Sequence, residues 1–157
     1  MQTNIVTNTH LSPSPSFSPI ICAVNCWPSP SNDGRCDVNI EYELEHEHIT
    51  LYDVTISIPL PTGSYPTVSD ASSNWTLNPS THALDWTVPQ IGGDDRSGML
   101  EFSVDGDDAG VFFPVKVDFV AQGSVAGIEV ARVTRVSGEE VVFSSDAMVS
   151  TEEYVVL

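Results

Sequence analysis

The amino-acid sequence predicts an all-β protein built as an antiparallel β-sandwich. Short segments alternate between apolar and polar residues with a period of two, and the connections between them are rich in Gly, Pro, Asn and Asp. No segment shows a helical period over ten residues. A chain of 157 residues with 41% apolar composition is large enough for one domain with its own core.

The first two predicted strands lie in the middle of the first half of the chain. Apolar residues occupy every second position from Val38 to Leu44, which indicates a strand with one buried face. A polar connection, Glu45–His48, leads to a second predicted strand at Leu51–Ile58. Pro59 follows, and because proline cannot donate a hydrogen bond to a sheet, the strand is expected to end there.

Six further strands are predicted at intervals, separated by turn sequences such as Asn78-Pro79 and Ser137-Gly138. They are Asn74–Leu77, Ala83–Val88, Met99–Val104, Phe112–Ala121, Gly127–Val136 and Glu140–Val149. The number and spacing of these short strands favour a sandwich.

The charge of the chain is strongly negative and unevenly distributed. Five basic and 22 acidic residues give a formal net charge of −17, a field that repels nucleic acids and anionic lipid surfaces. We therefore expect no nucleic-acid partner and no direct membrane contact.

The amino-terminal segment differs in composition from the rest of the chain. Residues 1–32 contain no Asp, Glu, Lys or Arg, and residues 1–24 are predicted to be a disordered tail. An equally weighted hypothesis makes this tail a gene-model artefact, a translated pyrimidine-rich intron end.

The three cysteines do not predict a disulfide framework or a metal site. The tail lacks the basic start and the unbroken apolar stretch of a signal peptide, so a reducing compartment is expected. Zinc sites use closely spaced ligand pairs, whereas Cys22, Cys26 and Cys36 are four and ten residues apart. His46 and His48 stand on a polar connection among glutamates. Cys26 and Cys36 are interpreted as small core or strand-end residues, and no metal or cofactor is expected.

The sequence carries no catalytic motif, and the protein is not expected to be an enzyme. The acidic pairs in the turns 94–95 and 105–108 lack the spacing of a calcium loop. Glu41, Glu43, Glu45 and Glu47 are interpreted as the charged face of an edge strand, which discourages aggregation.

Six sequence blocks together resemble the delta subunits of coatomer. They are NCWPSPSNDGRCDVNIEYEL, DVTISIPLPTG, LDWTVPQI, SGMLEFSV, FFPVKVDFV and EEYVVL, and their order and spacing match that family along residues 25–157. This part of the family is its carboxyl-terminal mu-homology domain. The resemblance covers about five sixths of the chain, and nothing in the sequence resembles the family's amino-terminal longin-like domain.

The resemblance implies a particular domain organisation. A mu-homology domain is a pair of β-sandwiches in which one sandwich is inserted into the other. Residues 25–115 are then expected to form the inserted sandwich, and residues 116–157 the returning strands of the first sandwich, whose early strands are missing. Residues 25–36 become the entry loop, with Cys26 and Trp27 as packing residues and Asp33-Gly34 as its turn.

The resemblance also implies a function. Delta subunits belong to the COPI vesicle coat, which acts in Golgi-to-ER retrograde and intra-Golgi transport. The implied partners are the other coatomer subunits and short tryptophan-containing acidic peptides of tethering or regulatory proteins. The implied location is cytoplasmic, peripheral on Golgi membranes and COPI-coated vesicles through the coat.

The related clathrin-adaptor chains bind tyrosine-based signals with a strand that carries an aromatic residue. Val130 stands at that position here, so tyrosine-signal binding is not expected. An acidic peptide needs basic contacts instead. Lys116 is expected to face solvent and Arg132 to join it on a neighbouring strand, which makes these two residues the predicted peptide site.

Two alternatives to the coat function remain open at this point. One is a secreted carbohydrate-binding β-sandwich, which requires a cleaved signal and a bridge between Cys26 and Cys36. The other is a non-functional truncated fragment.

The coat interpretation also predicts how the chain behaves in solution. The missing strands would leave five apolar residues without partners, namely Phe112, Phe113, Val115, Val117 and Phe119. The chain is therefore expected to aggregate or dimerise, while residues 25–115 stay monomeric.

Overall fold

A computed structural model describes residues 21–125, 128–151 and 154–157. The all-β prediction is confirmed, since one short 3₁₀ helix, Ala109–Phe112, accompanies the strands in these ranges. The strands are β1 Cys22–Pro30, β2 Arg35–Leu44, β3 Thr50–Pro59, β4 Thr67–Ala71, β5 Asn74–Asn78, β6 Ala83–Ile91, β7 Ser97–Asp105, β8 Val115–Gln122, β9 Val133–Thr134, β10 Glu140–Val141, β11 Met148–Ser150 and β12 Val155–Val156. No helix among these residues is long and apolar enough to cross a membrane.

Two antiparallel sheets enclose one hydrophobic core. The first sheet has the strand order β1-β2-β7-β4. The second has the order β11-β8-β3-β6-β5, and β12 also pairs with β8. Strands from both sheets contribute to the core, and the Tyr42 and Trp86 rings meet across it with their centroids 5.1 Å apart. The strands β9 and β10 form a separate two-stranded hairpin.

Strand β2 has the alternation that its sequence predicts. Val38, Ile40, Tyr42 and Leu44 are buried in the core, while the acidic residues between them face outward. The strand is not an edge, however, because β1 pairs with one side of it and β7 with the other. The interpretation of Glu41 and Glu43 as an edge-strand face is therefore wrong, and both lie on the outer face of an inner strand.

Strand β1 replaces the expected entry loop and the end of the expected tail. Its residues pair with β2 continuously, from Cys22 opposite Leu44 to Pro30 opposite Cys36. The tail prediction is wrong for residues 22–24, because Cys22 and Val24 are buried core residues. Residues 1–20, which hold the rest of the predicted tail, lie outside the described residues.

The loop between β1 and β2 contains the predicted turn. Gly34 has a φ of 80°, a left-handed conformation that glycine adopts without a steric penalty. The Ser31 side chain contacts the Asp33 carboxylate and also donates a hydrogen bond to the Arg35 carbonyl, 2.9 Å away. Trp27 was expected to pack, but its side chain is 49% exposed on the outer face of the sheet, while Cys26 packs partly against the core.

Strand β3 is interrupted by a bulge that the period-two pattern does not include. Leu51 and Val54 are both buried although three positions separate them. The pairing with β8 shifts register between Tyr52 and Thr55, and Asp53 has a φ of 51°. An extra residue in one strand lets both apolar side chains reach the core.

Strand β4, like β1, is an element of the sandwich for which no strand was predicted. Its sequence, TVSDA, lacks alternating large apolar residues, and its pairing with β7 shifts register between Val68 and Asp70. Strand β5 follows after two residues in the other sheet, close to its predicted bounds. Strand β6 continues beyond the predicted Val88 to Ile91, which is fully buried.

Strand β8 corrects the expected division at residue 115. It pairs with β3 and places Val115, Val117, Phe119 and Ala121 in the core. Phe112, in the preceding 3₁₀ helix, is also buried. These side chains are not left exposed for missing strands, so β8 belongs to the same sandwich as β3 and the division is wrong for residues 115–122.

The last third of the chain is less regular than predicted. The predicted strand at Gly127–Val136 is reduced to Val133–Thr134 within the described residues, and the one at Glu140–Val149 is split between β10 and β11. Strands β11 and β12 both lie antiparallel to β8 and cover its outer edge. The Tyr154 hydroxyl anchors this segment by donating a 2.6 Å hydrogen bond to the Cys22 carbonyl.

Candidate functional site

Lys116 lies where the sequence predicts, on the solvent side of β8. It alternates with buried Val115 and Val117, so its side chain is exposed. Its pairing partners are Ser57 on β3 and Val155 on β12. The expected solvent-facing orientation of Lys116 is therefore confirmed, while its part in peptide binding stays a prediction.

Arg132 does not lie on a strand beside Lys116. Its side chain is exposed, in an irregular stretch that precedes the two-residue strand β9. The strands that pair with β8 are β3, β11 and β12. The expectation that Arg132 joins Lys116 on a neighbouring strand is wrong, because the strand that was to carry Arg132 is not formed there.

The other three basic side chains each have a partner. The Arg35 guanidinium donates a 2.8 Å hydrogen bond to the Ser103 hydroxyl. Arg96 donates to the Leu44 carbonyl at 2.7 Å, and Arg135 forms a 2.8 Å ion pair with Glu139. Among the described residues, Lys116 and Arg132 form no hydrogen bond or ion pair through their charged groups. They are thus the basic groups most available to an acidic ligand.

The strand register excludes a bridge between Cys26 and Cys36. Cys26 lies opposite Ile40, four residues from Cys36 on β2, which corresponds to about 13 Å along the strand. A disulfide needs Cα atoms within about 7 Å. The bridge that the secreted alternative requires is therefore incompatible with this fold. Cys36 is fully buried, as its interpretation as a core residue predicts.

The thiols are also poorly suited to nucleophilic chemistry. Burial, together with a smaller effect of the nearby Glu45 carboxylate, raises the pKa of the Cys22 thiol to about 12. Burial likewise raises the pKa of Cys26 to about 11. Since the thiolate is the reactive form, both groups are inert near neutral pH.

The acidic turns and histidines do not converge on a common site. Asp108 accepts a 2.8 Å hydrogen bond from the Gly110 amide and so begins the 3₁₀ helix. Asp95 and Gly92 bond to each other within their turn, and His46 and His48 lie in the loop between β2 and β3. Within the described ranges, no group of three or more His, Cys, Asp or Glu residues is arranged to hold a metal ion.

A groove that sequence reasoning missed crosses the outer face of the first sheet. Its volume is about 670 Å³, and Trp27 lies at its rim. The charged side chains that line it are the carboxylates Asp37, Glu41 and Glu101. The available signal in the sequence is a tryptophan on a segment with polar neighbours, but the resemblance to delta subunits implies a loop for this segment.

Comparison with known proteins gives the chain a consistent set of relatives. Residues 7–156 match the profile of the Adaptor complexes medium subunit family. A Caenorhabditis elegans protein named probable coatomer subunit delta is 36% identical over 130 residues, which are 83% of this chain and 25% of that protein. Coatomer subunit delta of Arabidopsis thaliana is 37% identical over 108 residues, 68% of this chain and 20% of that protein.

Solved structures show the same fold. The yeast delta-COP-I mu-homology domain aligns with a TM-score of 0.69 and 21% identity, covering 88% of this chain and 57% of that one. The same domain complexed with a Dsl1 WxWxV peptide aligns with a TM-score of 0.68 and 20% identity, with the same coverage. The chain spans about a quarter of the length of the curated relatives and rather more than half of these domains.

Proposed function

Because the chain belongs to the adaptor complexes medium subunit family, we propose that it is the peptide-binding part of a COPI coatomer delta subunit. In this function it takes part in Golgi-to-ER retrograde and intra-Golgi transport of proteins. The observation that carries the proposal is its 36% identity over 130 residues to a protein named as a coatomer delta subunit. The expected location is cytoplasmic, and the other coatomer subunits bring the protein to Golgi and vesicle membranes.

The proposed activity is binding, not catalysis. The relatives are named as coat subunits, and the buried thiols of Cys22 and Cys26, with their raised pKa values, are poor nucleophiles. The net charge of −17 argues against nucleic acid as a partner and against direct contact with anionic lipids. We expect no cofactor.

The strand pairing supports a revised division of the domain. Strands β1 to β8 form two facing sheets, and all of them except β5 contribute residues to one core, which makes residues 22–122 the proposed inserted sandwich of a mu-homology domain. The following residues, from 123 onward, are proposed to include strands of the other sandwich. This revision moves the expected boundaries from 25 and 115 so that β1 and β8 stay with the strands they pair with.

Lys116 and Arg132 are the proposed contacts for a tryptophan-containing acidic peptide. Both side chains are exposed, and neither charged group has an ionic or hydrogen-bonding partner among the described residues. A strongly acidic protein offers few places where a carboxylate-bearing ligand gains charge-assisted hydrogen bonds. Since the two residues lie on different elements, each is proposed to contact the peptide separately.

Calorimetric titration with a synthetic WxWxV peptide that carries acidic flanking residues tests this proposal. The protein is a full mu-homology domain that contains this sequence, either unchanged or with Lys116→Glu or Arg132→Glu. We expect the unchanged domain to bind and each variant to lose about 1–3 kcal/mol of binding free energy. Arg35→Glu makes the same charge change on the first sheet and is expected to bind normally.

Two results would count against the proposal in different ways. Failure of the unchanged domain to bind the peptide at low salt, where exposed charges act most strongly, contradicts the peptide-binding function. Normal affinity in both the Lys116→Glu and the Arg132→Glu variants removes these residues from the site and leaves the function standing.

A further inference from the structure

Four outward-facing residues form a continuous row across the first sheet. Trp27 on β1 lies opposite Asn39 on β2, Asn39 lies opposite Glu101 on β7, and Glu101 lies opposite Asp70 on β4. The neighbouring row places Asp37 between Ser29 and Ser103. An aromatic ring thus stands at one side of the groove, with carboxylates at its centre and far side.

Trp27 is an unusual residue to leave exposed at this place. Its side chain is 49% accessible, although a buried tryptophan contributes more apolar area than almost any other residue. The ring stands on the outer face of a regular strand, so its position is fixed by pairing on β2. The side chain is not part of the sandwich core, so about half of its surface is accessible to a partner.

The carboxylates of the groove are not neutralised by the protein itself. Asp37, Glu41 and Glu101 form no ion pair with a basic residue in the described part of the chain. Arg35 approaches one end, where it bonds to the Ser103 hydroxyl, but it pairs with none of the three. The groove therefore has a concentrated negative charge beside an exposed aromatic ring.

An unsatisfied acceptor lies at the centre of the same row. Asn39 donates a 3.3 Å hydrogen bond to Glu101 through its amide nitrogen, whereas its Oδ1 atom is inaccessible to solvent and has no hydrogen-bond partner among the described residues. A buried polar atom without a partner costs free energy, so the centre of this row is incompletely satisfied in the free protein.

We propose that this groove binds an extended basic protein segment, with an arginine or lysine side chain against the Trp27 ring and within reach of Glu101 and Asp37. A cation beside an indole face is attracted by the ring quadrupole, and an arginine also forms paired hydrogen bonds with a carboxylate. The charge of the groove selects against the acidic peptide proposed to contact Lys116 and Arg132.

The proposed basic-segment site is independent of the Lys116 and Arg132 site. Trp27, Asp37 and Glu101 belong to the first sheet, while Lys116 belongs to the second. The two sites take ligands of opposite charge. Their tests can therefore fail separately, and a chain that does not bind the tryptophan-containing peptide can still bind a basic one.

The experiment uses the whole chain and a short synthetic peptide with arginine at every second position. A second peptide has citrulline in place of each arginine, which keeps the shape and removes the charge. We expect saturable binding of the arginine peptide at low ionic strength, weakening as salt rises, and much weaker binding of the citrulline peptide. Trp27→Ala and Glu101→Gln are each expected to weaken arginine-peptide binding about threefold or more.

Matched substitutions elsewhere separate the groove from the general charge of the chain. Trp75→Ala removes an exposed tryptophan from the second sheet, and Asp107→Asn removes an exposed carboxylate from a loop. Both are expected to bind the arginine peptide normally, and thermal unfolding identifies any variant that has lost its fold. Any one of four results would overturn the proposal. The citrulline peptide could bind as well as the arginine peptide, or the arginine peptide could show no saturable binding. The matched variants could lose as much affinity as the groove variants, or both groove variants could keep full affinity.

Discussion

Gly98 shows how one residue limits the space around the ring of a buried tyrosine. It lies on β7 opposite Tyr42, and a Cβ atom at this position would be 2.6 Å from the Tyr42 ring and 2.5 Å from the Ser72 hydroxyl. The Tyr42 ring in turn packs against buried Trp86. A side chain at position 98 must therefore displace a ring that has little space to move.

Gly98→Ala is accordingly expected to destabilise the fold by about 1–3 kcal/mol, the usual cost of overpacking. The measurement is the free energy of unfolding from urea denaturation. Ser97→Ala, at an exposed position next to it, is the matched control and is expected to stay within about 0.5 kcal/mol of the unchanged protein. A Gly98→Ala variant as stable as this control would show that the packing around the Tyr42 ring is looser than described.

Cys22 makes stability depend on pH in the alkaline range. Burial raises the pKa of its thiol from 9.0 to about 12, so the unfolded chain ionises first as pH rises. Its contribution to stability is complete below pH 9 and is lost progressively between pH 9 and about 12. Cys22→Ala is expected to be less stable at neutral pH but to lose stability less steeply above pH 9, as measured by urea denaturation at several pH values. An equal pH dependence in the two proteins would contradict a buried Cys22 thiol.

Single residues also show what the sequence could reveal and what it could not. The alternation from Val38 to Leu44 and from Val115 to Phe119 predicts correctly which side chains are buried, because a strand turns successive residues to opposite faces. It places Lys116 on the solvent side for the same reason. It cannot show that Trp27 is exposed, since that depends on which strand pairs with residues 22–30. Nor can it place Arg132, because the strand predicted there is reduced to Val133–Thr134 within the described residues.

At the scale of elements, β8 is the strand on which the sandwich most depends. It pairs with β3 on one side and with β11 and β12 on the other, and four of its residues are in the core. The earlier expectation, an independent unit ending at residue 115, is incompatible with these contacts. Removal of β8 would expose the edge of β3 and one side of the core.

A pair of truncations tests the role of β8. The fragment 1–114 is expected to unfold without cooperativity or to aggregate, because it lacks Val115, Val117, Phe119 and Ala121. The fragment 1–125 keeps β8 and is expected to unfold cooperatively, although it loses the cover of β11 and β12. Thermal unfolding followed by circular dichroism separates these outcomes. A cooperative transition in the fragment 1–114 would restore the boundary at residue 115.

Strands β4 and β1 could not be predicted from the sequence, and each case has a physical reason. Strand β4 carries few apolar residues, and its irregular pairing with β7 leaves no strict period in the sequence. Strand β1 contains prolines but is at the edge of its sheet, where a missing backbone donor on the outer side is tolerated, whereas the resemblance to delta subunits implied a loop there. The turn chemistry at Gly34 was predicted because it depends on neighbouring residues alone.

At the scale of the whole molecule, the fold class and the family followed from the sequence, whereas the division into lobes did not. A sandwich needs only short alternating strands and turns, which the sequence contains. The division needs the pairing partner of each strand, and the resemblance to delta subunits does not specify it for β1 and β8. The charge of −17 is likewise visible in the sequence, but its concentration beside Trp27 depends on the register of four strands.

The central claim is that this chain is part of a COPI coatomer delta subunit. The most direct measurement is affinity purification of the full-length protein that contains it, tagged at its own locus and recovered from its own cells under mild conditions, with mass spectrometry of the associated proteins. We expect the other coatomer subunits to be recovered in amounts comparable to the tagged protein. Recovery of the tagged protein without them, at an expression level where they are present in the lysate, would contradict the claim.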